Sequence, residues 1–294
     1  MKKGEIALTT IHAKAKERPR TRRSVRQVKA GRILLYFAVG LIVLFLLLPI
    51  VIIPLLSFGS SPWLQFPPPS WTLKWYGELF SSPDWWGPIM NSVKVGISVV
   101  FLSQLIGVPV SYALVRGKFP GRDLLNGLLL MPMIMPYIIY AIAVYSLFLK
   151  LGMNGTLTGL VITHTVLALP YVVINVSNAF RAVSPAVEYA AASCGAGPWQ
   201  TFRYVVLPLI RPGVTSGAVF AFAISWDEVI TSMFVTDPQT ITLPVKIWTT
   251  LRLDLSPVIA ALSTIMIALS TIMLVVTTSK GSADVFGSPS GKRE

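Results

Sequence analysis

Charge is what this sequence has least of. Only 13% of its 294 residues are Asp, Glu, Lys or Arg, while 53% are hydrophobic and the mean hydropathy is +0.67. A soluble domain carries about 25% charged residues. This balance excludes a soluble globule and a disordered chain, and implies a multi-span membrane protein. Cysteine is nearly absent. Cys194 stands alone, which excludes an intrachain disulfide and a cysteine-built metal site. The two histidines, His12 and His164, leave the sequence poor in zinc ligands as well, so no metal is expected. Catalytic motifs are missing too. The nearest approach to a Walker A sequence, Gly287-Ser-Pro-Ser-Gly-Lys-Arg293, has the wrong spacing and no Ser/Thr after the lysine. There is no H-E-x-x-H and no G-x-S-x-G. A membrane enzyme would have only His164, Asp227 and Glu228 to draw on, so no catalytic residue and no cofactor are assigned to this chain.

What is present is a series of apolar runs. A helix needs about 20 apolar residues to cross a hydrocarbon core of about 30 Å. Six stretches qualify: Ile33–Phe58, Ile89–Val115, Leu124–Leu149, Leu157–Phe180, Val214–Val235 and Val258–Ser279. The expected fold is therefore an all-α polytopic membrane protein with six transmembrane helices. Basic residues set its orientation. With the N-terminus inside, 20 Lys/Arg fall on the cytoplasmic side and 5 on the other, as the positive-inside rule asks. Six spans also put both termini in the cytoplasm. The expected organisation is a basic tail (1–32), a first span (33–58), an extracytoplasmic segment (59–88), a five-helix core (89–279) with a cytoplasmic loop (181–213), and a second tail (280–294). The first tail holds 11 Lys/Arg and 2 acids. It reads as a topogenic segment near anionic lipid rather than a nucleic-acid arm, because it has no aromatic to stack on a base. A tail and apolar run of this length read as an uncleaved anchor, not a signal peptide. Outside the membrane, Trp71–Phe80 reads as a short interfacial helix with aromatic anchors, and 236–257 as a loop. Prolines within the spans, Pro132 and Pro136 among them, are expected to bend helices.

The loop 181–213 carries the most local information. Ser184 suits an N-cap, Pro185 the first helical position, and Glu188 the positive end of a helix dipole. Ala190, Ala191 and Ala192 give a smooth surface. Gly195 suits a left-handed cap, and Pro198 prevents continuation. A second short helix is expected from about Trp199 to Val206, stopping at Leu207-Pro208. A small-faced helix on a loop fits either docking into another protein or simple re-entry into the interface.

The residues of this loop resemble the E-A-A, Gly, nine residues, I-x-L-P signature of the membrane subunits of ABC importers. Ala190 and Ala191 match the alanines, Gly195 the glycine, and Val205-Val206-Leu207-Pro208 the ending. The family's glutamate falls at Tyr189, with Glu188 one position earlier, so either residue is a candidate for its place. Trp71–Phe80, Asn91-Ser92, Ser225-Trp-Asp-Glu-Val229, Thr242–Trp248 and Ala260–Ser263 resemble the spermidine/putrescine-type group. The resemblance implies a type I ABC importer permease in a bacterial inner membrane. It would form half of a translocation path for polyamine or a related amine. Other small polar solutes of the same importer class, such as an opine or an aminophosphonate, remain alternatives. An autonomous ion-coupled carrier would leave the loop motif unexplained. The implied partners are an ABC ATPase dimer that binds the ATP, a second and distinct permease chain, an extracytoplasmic solute-binding protein and membrane lipid, with no nucleic acid. The implied coupling residues are Glu188, Tyr189, Ala190, Ala191, Gly195, Leu207 and Pro208.

A second candidate site lies in the fifth span. Trp226, Asp227 and Glu228 put two acids and an aromatic where charge is costly. Adjacent helical positions point about 100° apart, so the acids cannot share a face. One lines a path while the other pairs with a neighbour, or both are structural. Carboxylates beside an aromatic suit a polycation. His164 reads as a packed, hydrogen-bonded residue.

Overall fold

The computed structural model describes residues 22–253 and 256–286. Most of the first tail (1–21) and the end of the second (287–294) lie outside the described residues. The described residues are mostly helical, with one isolated bridge pairing Gly59 and Trp71. The helices are α1 (Arg22–Ser57), α2 (Lys74–Ser81), α3 (Pro83–Arg116), α4 (Arg122–Ile134), α5 (Tyr137–Leu151), α6 (Leu157–Ala182), α7 (Pro185–Ser193), α8 (Pro198–Thr201), α9 (Leu207–Asp227), α10 (Ile230–Val235), α11 (Leu243–Leu253) and α12 (Pro257–Phe286). The chain divides into two compact units, Met1–Ile52 and Ile53–Glu294. The first carries most of α1, the longest apolar helix. The second carries everything that follows.

Four described helices are long and apolar enough to cross a membrane: Arg32–Ser57, Pro83–Arg116, Leu157–Ala182 and Pro198–Asp227. The third expected span is not one straight rod. It breaks into α4 and α5, bent by 104°. The cause is local. Met135 is extended (φ −72°, ψ 132°) because a residue before proline is driven out of the helical region, and Pro136 then caps α5. The last apolar helix, α12, has a shorter described apolar stretch, Pro257–Ile272.

The core of the second unit is a three-helix packing of α3, α6 and α9. Val95 and Val99 meet Leu160, Ala168, Val172, Val176 and Phe180, with Ile210 and Ala221 closing the third side. Small residues let these helices approach closely, since apolar burial alone does not hold helices together in lipid. A Cβ on Gly107 would fall 2.6 Å from Val172 Cγ1. Two bonds pin the crossing. The Gln104 side-chain amide donates to the Val214 carbonyl at 2.8 Å, and the Ser111 hydroxyl to the Val173 carbonyl at 3.3 Å.

A second cluster gathers Trp75, Leu79, Trp85, Trp226, Leu243, Val258, Ile259, Ala261 and Leu262. It packs α2 and the start of α3 against the end of α9, α11 and α12. The expected interfacial helix is α2, tied down by the Trp75 indole donating to the Gly59 carbonyl at 2.6 Å. The expected loop 236–257 is different from the sequence reading, because its second half winds into α11. The sequence pieces Asn91-Ser92 and Thr242–Trp248 meet here. Asn91 Nδ2 donates to the Gln239 and Ile241 carbonyls at 2.9 and 3.1 Å, and the Leu243 amide donates to Ser92 Oγ at 2.8 Å.

Candidate functional site

The loop between α6 and α9 builds itself from local chemistry. Ser184 Oγ accepts the Ala186 amide at 3.3 Å and Pro185 opens α7. At the other end Gly195 adopts φ +86°, the left-handed conformation that glycine enters without a Cβ penalty. The Ala196 amide then donates to the Ala191 carbonyl at 3.1 Å and the Gly195 amide to the Ala192 carbonyl at 2.9 Å. This paired pattern closes a helix whose last carbonyls would otherwise be orphaned. Gln200 Oε1 accepts the Gly197 amide at 2.9 Å and starts α8.

The second short helix does not stop at Leu207-Pro208 as expected. Phe202–Val206 winds as a π-helical turn, and the chain runs on through α9 without leaving the helix. Pro208 has no N–H to give and its ring crowds the carbonyl four residues back. The wider turn absorbs this: the Leu207 amide bonds the Phe202 carbonyl, five residues back.

The residues expected to couple separate by exposure. Tyr189, Ala190, Gly195 and Pro208 are exposed, Ala191 and Leu207 half-buried. Trp199 and Tyr204 join them as large exposed aromatics that the sequence reading did not single out. Their signal was present as aromatics at the surface end of a loop, but spacing alone does not give exposure. Glu188 is turned inward instead. Its Oε1 accepts the Arg116 Nε–H at 2.8 Å and its Oε2 the Tyr112 hydroxyl at 3.3 Å. Arg116 also donates to the Val183 carbonyl at 2.7 Å. Glu188 therefore staples α7 to the end of α3, the only ion pair among the described residues. Tyr189 holds the outward position.

The acids of the fifth span do not sit inside a continuous helix. α9 ends at Asp227, Glu228 is extended (φ −75°, ψ 114°), and α10 begins at Ile230. The acids diverge because the chain leaves the helix between them, not because of helical rotation. Glu228 is buried, and its Oε1 accepts the Thr231 amide at 2.7 Å, capping α10. Asp227 is exposed, and its side chain has no hydrogen bond or ion pair among the described residues. Trp226 faces the other way, buried in the second cluster and stacked on Phe222 with ring centroids 5.4 Å apart. His164 is the packed residue expected of it. It bridges the break, with Nδ1 3.0 Å from Ser225 Oγ and Nε2 2.9 Å from Ser232 Oγ.

Asp227 and Glu228 open onto a cavity of about 600 Å³. Its aromatics are Tyr137, Tyr171 and Phe220, not Trp226. Tyr171 and Phe220 stack at 6.3 Å. The 104° bend delivers Tyr137 to this wall, since it is the first residue of α5. Two carboxylates, one free, among ring faces form a concave surface that would attract and orient a cation. Among the described residues no group of His, Cys, Asp and Glu is arranged to hold a metal.

A helical bundle with spans, a docking-shaped loop and an acid-lined cavity is the make-up of a membrane transport subunit. The chain belongs to the family of binding-protein-dependent transport system inner membrane components, whose model matches residues 103–279. It is 32% identical to the spermidine/putrescine transport system permease protein PotC of Escherichia coli K12 over 237 residues, 79% of this chain and 88% of that one. It is 29% identical to the putrescine transport system permease protein PotI of the same organism, over 74% of this chain and 80% of that one. Among solved structures it is similar to a chain of a bacterial ABC transporter involved in the import of the polysaccharide alginate. The TM-score is 0.70 at 19% identity, covering 87% of this chain and 97% of that one. A further match, at TM-score 0.62 and 15% identity, is that transporter in complex with an alginate-pentasaccharide-bound periplasmic protein, covering 86% and 94%. The chain is thus a permease subunit of a binding-protein-dependent ABC importer.

Proposed function

We propose that this permease forms half of the path for a polyamine, with Asp227 the residue that meets the cationic solute. The observation that carries this is the cavity: an unpaired carboxylate and a capped one face Tyr137, Tyr171 and Phe220. A flexible polycation is matched by separated carboxylates and ring faces, and the relatives' names point to the same solute class. The chain spans the membrane six times, α4 and α5 making one broken span, with both termini in the cytoplasm. The loop 181–213 docks on an ABC ATPase dimer, which binds and hydrolyses the ATP. A distinct second permease completes the path, and an extracytoplasmic solute-binding protein loads it. ATP-driven closure of the ATPase pair would push the two docking loops together and rock the spans between inward- and outward-facing states.

The test is a mild-detergent pull-down of the tagged chain from native membranes, followed by uptake in proteoliposomes rebuilt from what is recovered. Recovery of an ATPase and a second permease, with ATP-dependent spermidine or putrescine uptake that competes poorly with neutral solutes, is the expected result. Recovery of the functional chain alone, or uptake that needs no ATP, would overturn the docking assignment. ATP-dependent uptake indifferent to amines would overturn the solute.

A further inference from the structure

We propose a phospholipid site at the end of the bundle where the docking loop emerges, between α4 and α6. A pocket of about 250 Å³ there is lined by Arg122, Asp123, Asn126, Ser177, Asn178 and Arg181. Its ligand is the phosphodiester of an anionic glycerophospholipid.

Three independent features converge. The first is charge. Among the described residues neither Arg122 nor Arg181 has an ion-pair partner, although Asp123 shares the pocket. Two guanidiniums and one carboxylate leave a single surplus positive charge. That matches a singly charged phosphodiester better than a phosphate dianion. Basic pockets between helices at a membrane surface bind lipid headgroups in this way, and guanidinium groups match phosphate oxygens bidentately.

The second is an orphan donor. Ser177 is only 6% exposed, and its hydroxyl is buried without a hydrogen-bond partner. A serine in a helix ordinarily bonds the carbonyl four residues back. Here that carbonyl, Val173, already accepts the Ser111 hydroxyl. A buried hydroxyl left unsatisfied is costly, and a phosphate oxygen in the pocket would satisfy it. The third is position. Arg122 is the first residue of the 13-residue α4, whose opening amides and positive dipole end favour an anion. Leu130 and Ile174 complete the pocket wall, and α4 leaves it with an exposed apolar face, Leu124, Leu128 and Met131, at helical spacing. An acyl chain has somewhere to lie, which favours a lipid over free phosphate.

The test uses the full-length chain, purified in mild detergent with whatever subunits accompany it. It is incubated with phosphatidylglycerol or phosphatidylcholine and read by native mass spectrometry. The wild type should retain phosphatidylglycerol about tenfold better than phosphatidylcholine. The Arg122→Gln, Arg181→Gln double variant should lose that preference, since each charged hydrogen bond is worth about one order of magnitude. Arg181→Lys, which keeps the charge without the fork, should keep part of it, and Ser177→Ala should weaken retention a few-fold. An unchanged elution profile in size-exclusion chromatography separates lost binding from lost fold. Undiminished preference in the double variant, or no retained anionic lipid in the wild type, would overturn the site. Displacement of the lipid by millimolar inorganic phosphate would reassign it to a soluble anion. None of these readouts involves the solute or ATP, so the site and the transport assignment can fail separately.

Discussion

At the 181–213 loop and at the α9–α10 break, an inward-turned residue and an exposed one stand side by side. In the loop Glu188 turns inward to Arg116 and Tyr112, while Tyr189 stands 73% exposed beside it. At the break Glu228 turns inward to the Thr231 amide, while Asp227 faces the cavity without a partner. In each pair the inward residue is bonded within the chain and its neighbour is left exposed. The anchors differ in kind. At the loop it is a cation from another helix, 72 residues away in sequence. At the break it is a main-chain amide three residues on. A cross-helix ion pair sets how one element sits against another, whereas a cap sets only where a helix starts. The loop is therefore held against α3, and the break is a local turn stapled by His164.

The comparison predicts a graded series of effects. The largest belongs to Gly195→Asp. It puts a side chain at φ +86°, a conformation that Asp tolerates better than most residues, and an anion on the proposed docking face. Apart from its chain neighbours, nothing among the described residues lies within 4 Å of the added Cβ, so the substitution meets no clash there. Uptake should be abolished with the chain still in the membrane and its thermal midpoint little changed, and normal uptake would sink the docking assignment.

Next is Asp227→Asn, which removes the carboxylate but no side-chain hydrogen bond or ion pair among the described residues. Uptake should fall by about tenfold or more, as expected for one charged interaction with the solute, with assembly intact on gel filtration. Wild-type uptake here and in Glu228→Gln would remove the path hypothesis.

Third is the Arg116–Glu188 staple, whose side chains are 15% and 16% exposed. A double-mutant cycle of Arg116→Gln and Glu188→Gln, read by thermal unfolding in detergent, should give a coupling of about 1 kcal/mol, since partial exposure weakens the pair. ATPase capture should fall modestly in either single variant. A coupling near zero would mean that α7 is not held through α3.

The smallest effect is that of Glu228→Gln. Its amide oxygen still accepts the Thr231 N–H, so the cap is kept and uptake should stay within about twofold of wild type. A loss as large as that of Asp227→Asn would mean that both acids meet the solute, and the division of labour would fail at this site.

The α7 helix was legible residue by residue, because Ser184, Pro185 and Gly195 act through bonds to their own neighbours. The apolar runs placed most of the long helices for a similar reason: burial in lipid or protein is recorded in each residue. The break in the third span was only half legible. Pro132 and Pro136 marked a bend, but nothing local specified 104° or that it would bring Tyr137 to the cavity. Pro208 misled, because a proline stop was avoided by a π-helical turn. Trp226 misled as well: an aromatic beside two acids looked like a binding wall, yet it packs against Phe222 while Phe220 and two tyrosines take that place.

Sequence alone determined that this chain is a bundle of membrane helices with a self-capping loop, since hydrophobicity and capping act over a few residues. Tertiary structure alone decided which member of each pair, Glu188 or Tyr189, Asp227 or Glu228, is left facing outward. An apolar or acidic residue carries no record of whether its neighbour in space is lipid, core, cavity or the guanidinium of a helix 72 residues away. Only the packing of α3, α6 and α9, and the bend at Met135, supply it.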